Sequence, residues 1–163
     1  MRTSADWRFV LSHPAHFASF GFGSGLSPVA PGTMGTLVAF PIFFYLKSWF
    51  GQSEWLFLLF IFQLFLFGIW LCGKTGRDIG EEDHSGIVFD EITAFLLVLF
   101  FTPQGFFWQV FAFMLFRFFD VLKPAPIAYY DRTLHGGFGV MFDDLLAAFY
   151  ALLCLALFKS FLG

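Results

Sequence analysis

The chain has 163 residues, of which 58% are hydrophobic, 23% aromatic and only 13% charged. That length allows a single domain. The charged fraction is about half the roughly 25% usual for soluble globular domains, and a water-soluble core of this size cannot hide 29 phenylalanines. A net charge of −3 provides no basic field for nucleic acid, and Cys72 and Cys154 lie in apolar runs without the spacing of a metal or disulfide framework.

The composition predicts an all-α, polytopic membrane helical bundle of about four to five spans, because backbone in hydrocarbon must satisfy its own hydrogen bonds. No Asp, Glu, Lys or Arg occurs between Arg8 and Lys47. Pro28, Pro31 and the glycines from Gly21 to Gly35 break the first part of this run, which leaves a first span at about Thr33–Leu46. Trp55–Cys72 is a second uncharged run, close to the roughly 20 residues that cross a bilayer as a helix. Pro103-Gln104-Gly105 divides the next apolar stretch into a hairpin of about Ile87–Phe101 and Phe106–Leu122. A last helix is predicted over Phe142–Phe161. No compact apolar run with a small-residue cleavage site marks a signal peptide. Five spans put residues 1–28, 73–91 and 118–143 on one side, together with Arg2, Arg8, Lys74, Arg77, Arg117, Lys123 and Arg132; only Lys47 and Lys159 fall opposite. By the positive-inside rule the first side is cytoplasmic.

Nine of the twelve acidic residues lie between Glu81 and Asp144. Asp90-Glu91 opens the third span, Asp143-Asp144 opens the last, Asp120 ends the fourth, and Asp131 falls in the loop between. Carboxylates against a bilayer are costly unless paired or coordinated, and several converging from separate helix ends suit Mg²⁺, a hard cation bound through oxygen. Helix capping explains one acid per helix but not two adjacent pairs. Arg117 and Asp120 share a helix face at i, i+3, with Lys123 just before Pro124; they offer either phosphate contacts or a local ion pair and a snorkelling lysine. His84 and His135 stand beside the clusters as general-acid candidates, whereas His13 and His16 form no readable pattern. The segment from Gly21 to Thr36 carries glycines and four hydroxyls ahead of a helix. It is either an anion cradle or a close-packing loop, and it lacks GxxxxGK[ST].

These motifs, taken in order, resemble the bacterial phosphatidylglycerophosphatase A family. The resemblance rests on Phe22-Gly23-Ser24-Gly25-Leu26-Ser27-Pro28, on Pro31-Gly32-Thr33-Met34-Gly35-Thr36, and on Asp83-His84 with Ile87-Val88-Phe89-Asp90-Glu91. It continues through Phe116-Arg117-Phe118-Phe119-Asp120, Lys123-Pro124 and Pro126-Ile127, and ends with Asp131, His135-Gly136-Gly137, Gly139-Val140-Met141 and Asp143-Asp144. It covers about residues 17–150. Ala94 and Ala148 stand where glycines are expected, small-for-small changes that bear on packing. The resemblance implies an inner-membrane enzyme that removes the terminal phosphate of phosphatidylglycerophosphate with Mg²⁺, among membrane lipids, its active site facing the cytoplasm. Carried onto this sequence, Asp90, Glu91, Asp120, Asp143 and Asp144 are the expected metal ligands. Asp83, His84, Asp131 and His135 are the expected catalytic residues, and Ser24, Thr33, Arg117 and Lys123 the expected substrate contacts. No CxxxxxR loop is present, so a cysteinyl-phosphate route is excluded, while an aspartyl-phosphate intermediate stays open. Two rivals are a lipid phosphotransferase using a CDP-activated donor, whose Asp-Gly signature is absent, and a small cation transporter, disfavoured because the acids gather at one end.

Overall fold

The structure, a computed structural model, describes residues 5–162; Arg2, counted above for orientation, lies outside them. The described residues form helices and connecting turns with no strand. Two short helices, α1 (Trp7–Ser12) and α2 (Pro14–Ser19), lead into a 3₁₀ segment, Gly21–Leu26. Five longer helices follow: α3 (Pro31–Phe50), α4 (Glu54–Ile79), α5 (Phe89–Phe101), α6 (Phe106–Leu122) and, after the short α7 (Ile127–Thr133), α8 (Gly136–Leu162). Of these, α4 and α8 are long and apolar enough to cross a membrane.

Each of the five spans expected from the sequence corresponds to a helix, and α6 matches end to end. Its limits are set by punctuation: Gly105 at φ 126° before it, and Lys123 in the left-handed region after it with Pro124 next. Two boundaries need correction. Helix α4 continues seven residues past Cys72, to a left-handed Gly80. Helix α8 begins at Gly136 rather than Phe142, so Asp143 and Asp144 do not open it but lie about two turns inside. Asp131 likewise sits in α7, not in a loop. Both extensions run through glycines, and the reason is packing: a Cβ on Gly137 would collide with the Ile69 carbonyl and the Gly73 amide where α8 crosses α4.

The up-and-down order brings the N-termini of α3, α5 and α8 to the same end as the C-termini of α4 and α6. Between them lies an apolar core with Phe95, Leu96, Phe116, Ala147 and Ala151 fully buried. Ala94 and Ala148, the two departures from the family pattern, are buried there too. The N-terminal helices dock on the end of α4 through a second core that includes Val10, Phe20, Leu71 and Ile79. His16, unreadable in the sequence, is buried and lies 2.9 Å from Asp78 through Nε2, while the Thr75 hydroxyl donates to Ser19 Oγ at 2.8 Å. This polar pairing fixes how the N-terminal segment sits.

Candidate active site

Helix ends converge on a polar cleft of about 670 Å³, lined by Ala30 and by Pro31 and Gly32 at the start of α3, by Asp83, Ser85 and Ile87 of the α4–α5 loop, and by Asp90 and Glu91 of α5. Arg117, Asp120, Val121 and Lys123 from the end of α6 and Asp143 and Asp144 of α8 complete it. Asp90 and Glu91 fall in the first turn of α5, which no side chain caps. Their negative charge therefore also complements the helix dipole. That explanation does not extend to Asp143 and Asp144, because the dipole's influence fades beyond the first turn. Asp90, Asp143 and Asp144 are 6%, 6% and 3% exposed, and burial of a carboxylate is costly without a partner.

Partners are only partly supplied within the protein. Arg117 pairs with Asp120 through one guanidinium nitrogen, which also lies 3.6 Å from Glu91 Oε1. Lys123 Nζ bridges Asp131 Oδ1 and Asp143 Oδ2, each at 2.5 Å. Burial works against the Lys123 ammonium, but Asp143 and Asp131 outweigh it and hold its pKa well above the ordinary range. Lys123 in turn keeps Asp131 below the ordinary carboxylate range, against its own partial burial. Four carboxylate oxygens are left buried with no hydrogen-bond partner: Asp90 Oδ1, Glu91 Oε2, Asp143 Oδ1 and Asp144 Oδ2.

Those orphaned oxygens are the test of whether a cation fits. One oxygen from each of Asp90, Glu91 and Asp144 lies within 4.8 Å of the other two. A hard divalent cation takes oxygen ligands of this kind and would satisfy groups that otherwise carry a large desolvation cost. Asp120 and Asp143 line the same cleft but spend an oxygen each on Arg117 and Lys123.

The remaining expected site residues divide by position. Asp83 and Asp143 lie on the wall between the cleft and a smaller pocket of about 410 Å³, which Glu82, Asp131 and His135 also line. His84 is not on either wall: its Nδ1 accepts the Gly86 amide at 3.0 Å and its ring lies against Phe20, so it shapes the loop. Ser24 donates to the Gly21 carbonyl inside the 3₁₀ segment, which packs Gly25 on the Gly86 backbone; neither Ser24 nor Thr33 lines the cleft. Sequence reasoning did not single out Gly32 or Glu82. Glu82 accepts the Gly136 amide at 2.9 Å and so ties the loop to the start of α8; the only signal for it was an acid free to cap a distant helix. A Cβ on Gly32 would collide with Glu91 Oε1 and come 3.0 Å from the Arg117 guanidinium. Gly32→Ala is a favourable change for a helix's first turn in itself, so normal purification with roughly tenfold lower kcat/KM, about 1.4 kcal/mol, is the expected result. Unaltered kcat/KM would show that the Glu91–Arg117 geometry tolerates displacement.

An all-helical protein with buried, convergent carboxylates and two cations beside two membrane-length helices is the class defined by this fold and site. The chain belongs to the phosphatidylglycerophosphatase A family, whose model matches residues 17–159. A relative of that name from Haemophilus influenzae is 46% identical over 147 residues, 90% of this chain and 89% of its own. Another, from Escherichia coli, is 42% identical over 144 residues, 88% of this chain and 82% of its own. A Bacteroides thetaiotaomicron relative with the provisional name phosphatidylinositol-3-phosphatase is 36% identical over 148 residues, 88% of this chain and 92% of its own. No solved structure matches the chain.

Proposed function

We propose that the protein is a Mg²⁺-dependent phosphatase that hydrolyses phosphatidylglycerophosphate to phosphatidylglycerol and inorganic phosphate. The observation that carries this reading is the set of four partnerless buried carboxylate oxygens beside Arg117 and Lys123. Asp90, Glu91 and Asp144 would hold the ion, with Asp143 and Asp120 as further carboxylates of the same cleft. When bound, Mg²⁺ supplies Lewis-acid polarisation of phosphate oxygens and charge neutralisation. Arg117 offers a planar fork to the phosphate and Lys123 a point charge. The N-terminus of α3, uncapped by any side chain at Ala30, adds the positive end of a 20-residue helix. His135 is exposed at the neighbouring pocket with Asp83 and Asp131, and we assign it the role of protonating the leaving alkoxide.

The chain would sit in the bacterial inner membrane as a multi-pass bundle, with α3, α4, α5, α6 and α8 as spans and the cleft at the cytoplasmic face. Helix α5 has 13 residues, short of the roughly 20 needed to cross a bilayer, so the bilayer would thin locally around it and leave the carboxylates of its first turn at headgroup level. Lys74, Arg77, Arg117, Lys123 and Arg132 lie at the cleft end, and Lys47 and Lys159 at the other, which supports this orientation. Single cysteines at the exposed positions Glu81 and Gln52 are expected to react with an impermeant maleimide from opposite sides, Glu81→Cys only after the cytoplasmic face is opened. Labelling of Glu81→Cys in sealed cells would refute the orientation.

Purified protein in detergent should release inorganic phosphate from phosphatidylglycerophosphate without any nucleotide donor. Release of CMP from a CDP-activated lipid would instead favour the phosphotransferase, and cation flux in vesicles without hydrolysis would favour the transporter.

A further inference from the structure

A second cavity lies deeper in the bundle and has no part in the site described so far. It is an apolar groove of about 580 Å³ walled by α4, α5 and α8, with Leu58, Phe62, Thr93, Ala94, Leu97 and Met141 among its lining. Phe62 is exposed, so the groove borders the outer surface of the bundle.

Two observations say what occupies it. The first is the groove's place directly below the active site along α5. Asp90, Thr93, Ala94 and Leu97 follow i, i+3, i+4, i+7 spacing and therefore form one stripe along α5. Asp90 lines the cleft, and the three residues below it line the groove. A molecule with its phosphate at the carboxylates therefore meets the groove one helical turn, about 5 Å, deeper. The second observation is Thr93 itself. It is 2% exposed, and its Oγ1 has no hydrogen-bond partner. The other buried threonines are satisfied: Thr36 donates to the Gly32 carbonyl and Thr75 to Ser19. A partnerless hydroxyl buried beside the upper end of an apolar groove matches a ligand that is polar for one group and hydrocarbon beyond it.

We propose that this groove holds one acyl chain of the substrate lipid, with the Thr93 hydroxyl donating to that chain's ester carbonyl. Thr93 is a positioning residue: it sets the depth of the lipid so that the phosphate reaches the carboxylates. The inference rests on the phosphatase reading above and adds chain recognition to it. Headgroup contacts fix which phosphate is removed, while the groove fixes how the lipid is held.

The test compares kcat/KM for dioleoyl phosphatidylglycerophosphate with that for the deacylated headgroup, glycerophosphoglycerophosphate, using the full chain in detergent. Thr93→Val removes the hydroxyl at nearly constant volume and is expected to lower the diacyl-to-deacylated ratio about tenfold, mainly through KM, as the loss of a single hydrogen bond does. Ala94→Leu, which narrows the groove, is expected to move the preferred chain length toward shorter acyl groups. A photoreactive phosphatidylglycerol with a diazirine in its acyl chain should label wild-type protein on the α4 and α5 segments around Phe62 and Leu97, and dioleoyl phosphatidylglycerophosphate should compete with it. An unchanged ratio in active Thr93→Val, or labelling spread evenly over α3 and α6, overturns the groove assignment. Failure of the wild type to release phosphate from either substrate rejects the phosphatase reading instead.

Discussion

Asp144→Asn and Glu91→Gln are each expected to reduce kcat/KM for phosphate release by a hundredfold or more, on the order of 3 kcal/mol. Both substitutions keep shape and hydrogen-bonding capacity and remove one negative charge. Capping cannot account for a loss at Asp144, which lies about two turns inside α8, where no free helical amide needs it. Removing one buried charge from a surplus of carboxylates also relieves repulsion, so neither variant should be destabilised. Both are expected to insert and purify as the wild type does. The loss should be partly recovered at raised Mg²⁺, because the remaining ligands still bind the ion more weakly. Steady-state phosphate release across a Mg²⁺ titration checks this. Rates near wild type in both variants would mean that these acids are structural and that the site must be rebuilt around Asp90, Asp120 and Asp143.

Arg117→Lys is expected to produce a different defect. Arg117 reaches Asp120 and approaches Glu91 with one nitrogen, while its Nε is buried without a partner. The guanidinium thus has donors left for a bound phosphate. Lysine keeps the charge, and at i, i+3 it keeps the pairing with Asp120, but it loses the fork. A charge-assisted hydrogen bond contributes about 2 kcal/mol, so a loss of roughly thirtyfold in kcat/KM is expected. The Mg²⁺ concentration for half-maximal rate should stay where it is. A shift of that concentration as large as the one seen with Glu91→Gln would make Arg117 a support for the carboxylates rather than a phosphate contact.

How much of this was legible in the sequence depended on what kind of signal each residue gave. Phe106–Leu122 could be read to the residue because a glycine and a Lys-Pro pair stop it at both ends. The pairs Asp90-Glu91 and Asp143-Asp144 stood out because adjacent acids in an apolar context have no simple structural use. The extensions of α4 and α8 were not legible, since Gly73, Gly76, Gly136 and Gly137 read as loop formers when considered locally. Gly73 and Gly137 serve instead as the contact point between two helices far apart in sequence, and Gly76 lies against the backbone of Glu81 and Glu82. Gly32 read as part of either an anion cradle or a close-packing loop, and its lack of a side chain is what lets Glu91 and Arg117 approach α3. Ser24 and Thr33 offered the right chemistry at positions that do not line the cleft, and which residues of a segment reach a cleft is not encoded in residue type. His16 found Asp78 and Thr93 found none, and both outcomes depend on tertiary contacts alone.

If the convergent carboxylates hold a catalytic cation, phosphate release depends on a divalent metal. The most direct measurement is phosphate release from phosphatidylglycerophosphate by purified protein, stripped by exhaustive chelation to negligible metal content and then titrated with Mg²⁺. No release is expected from the stripped protein and full recovery on titration, with Asp144→Asn requiring more Mg²⁺ than the wild type. Undiminished release from the stripped wild type would contradict it.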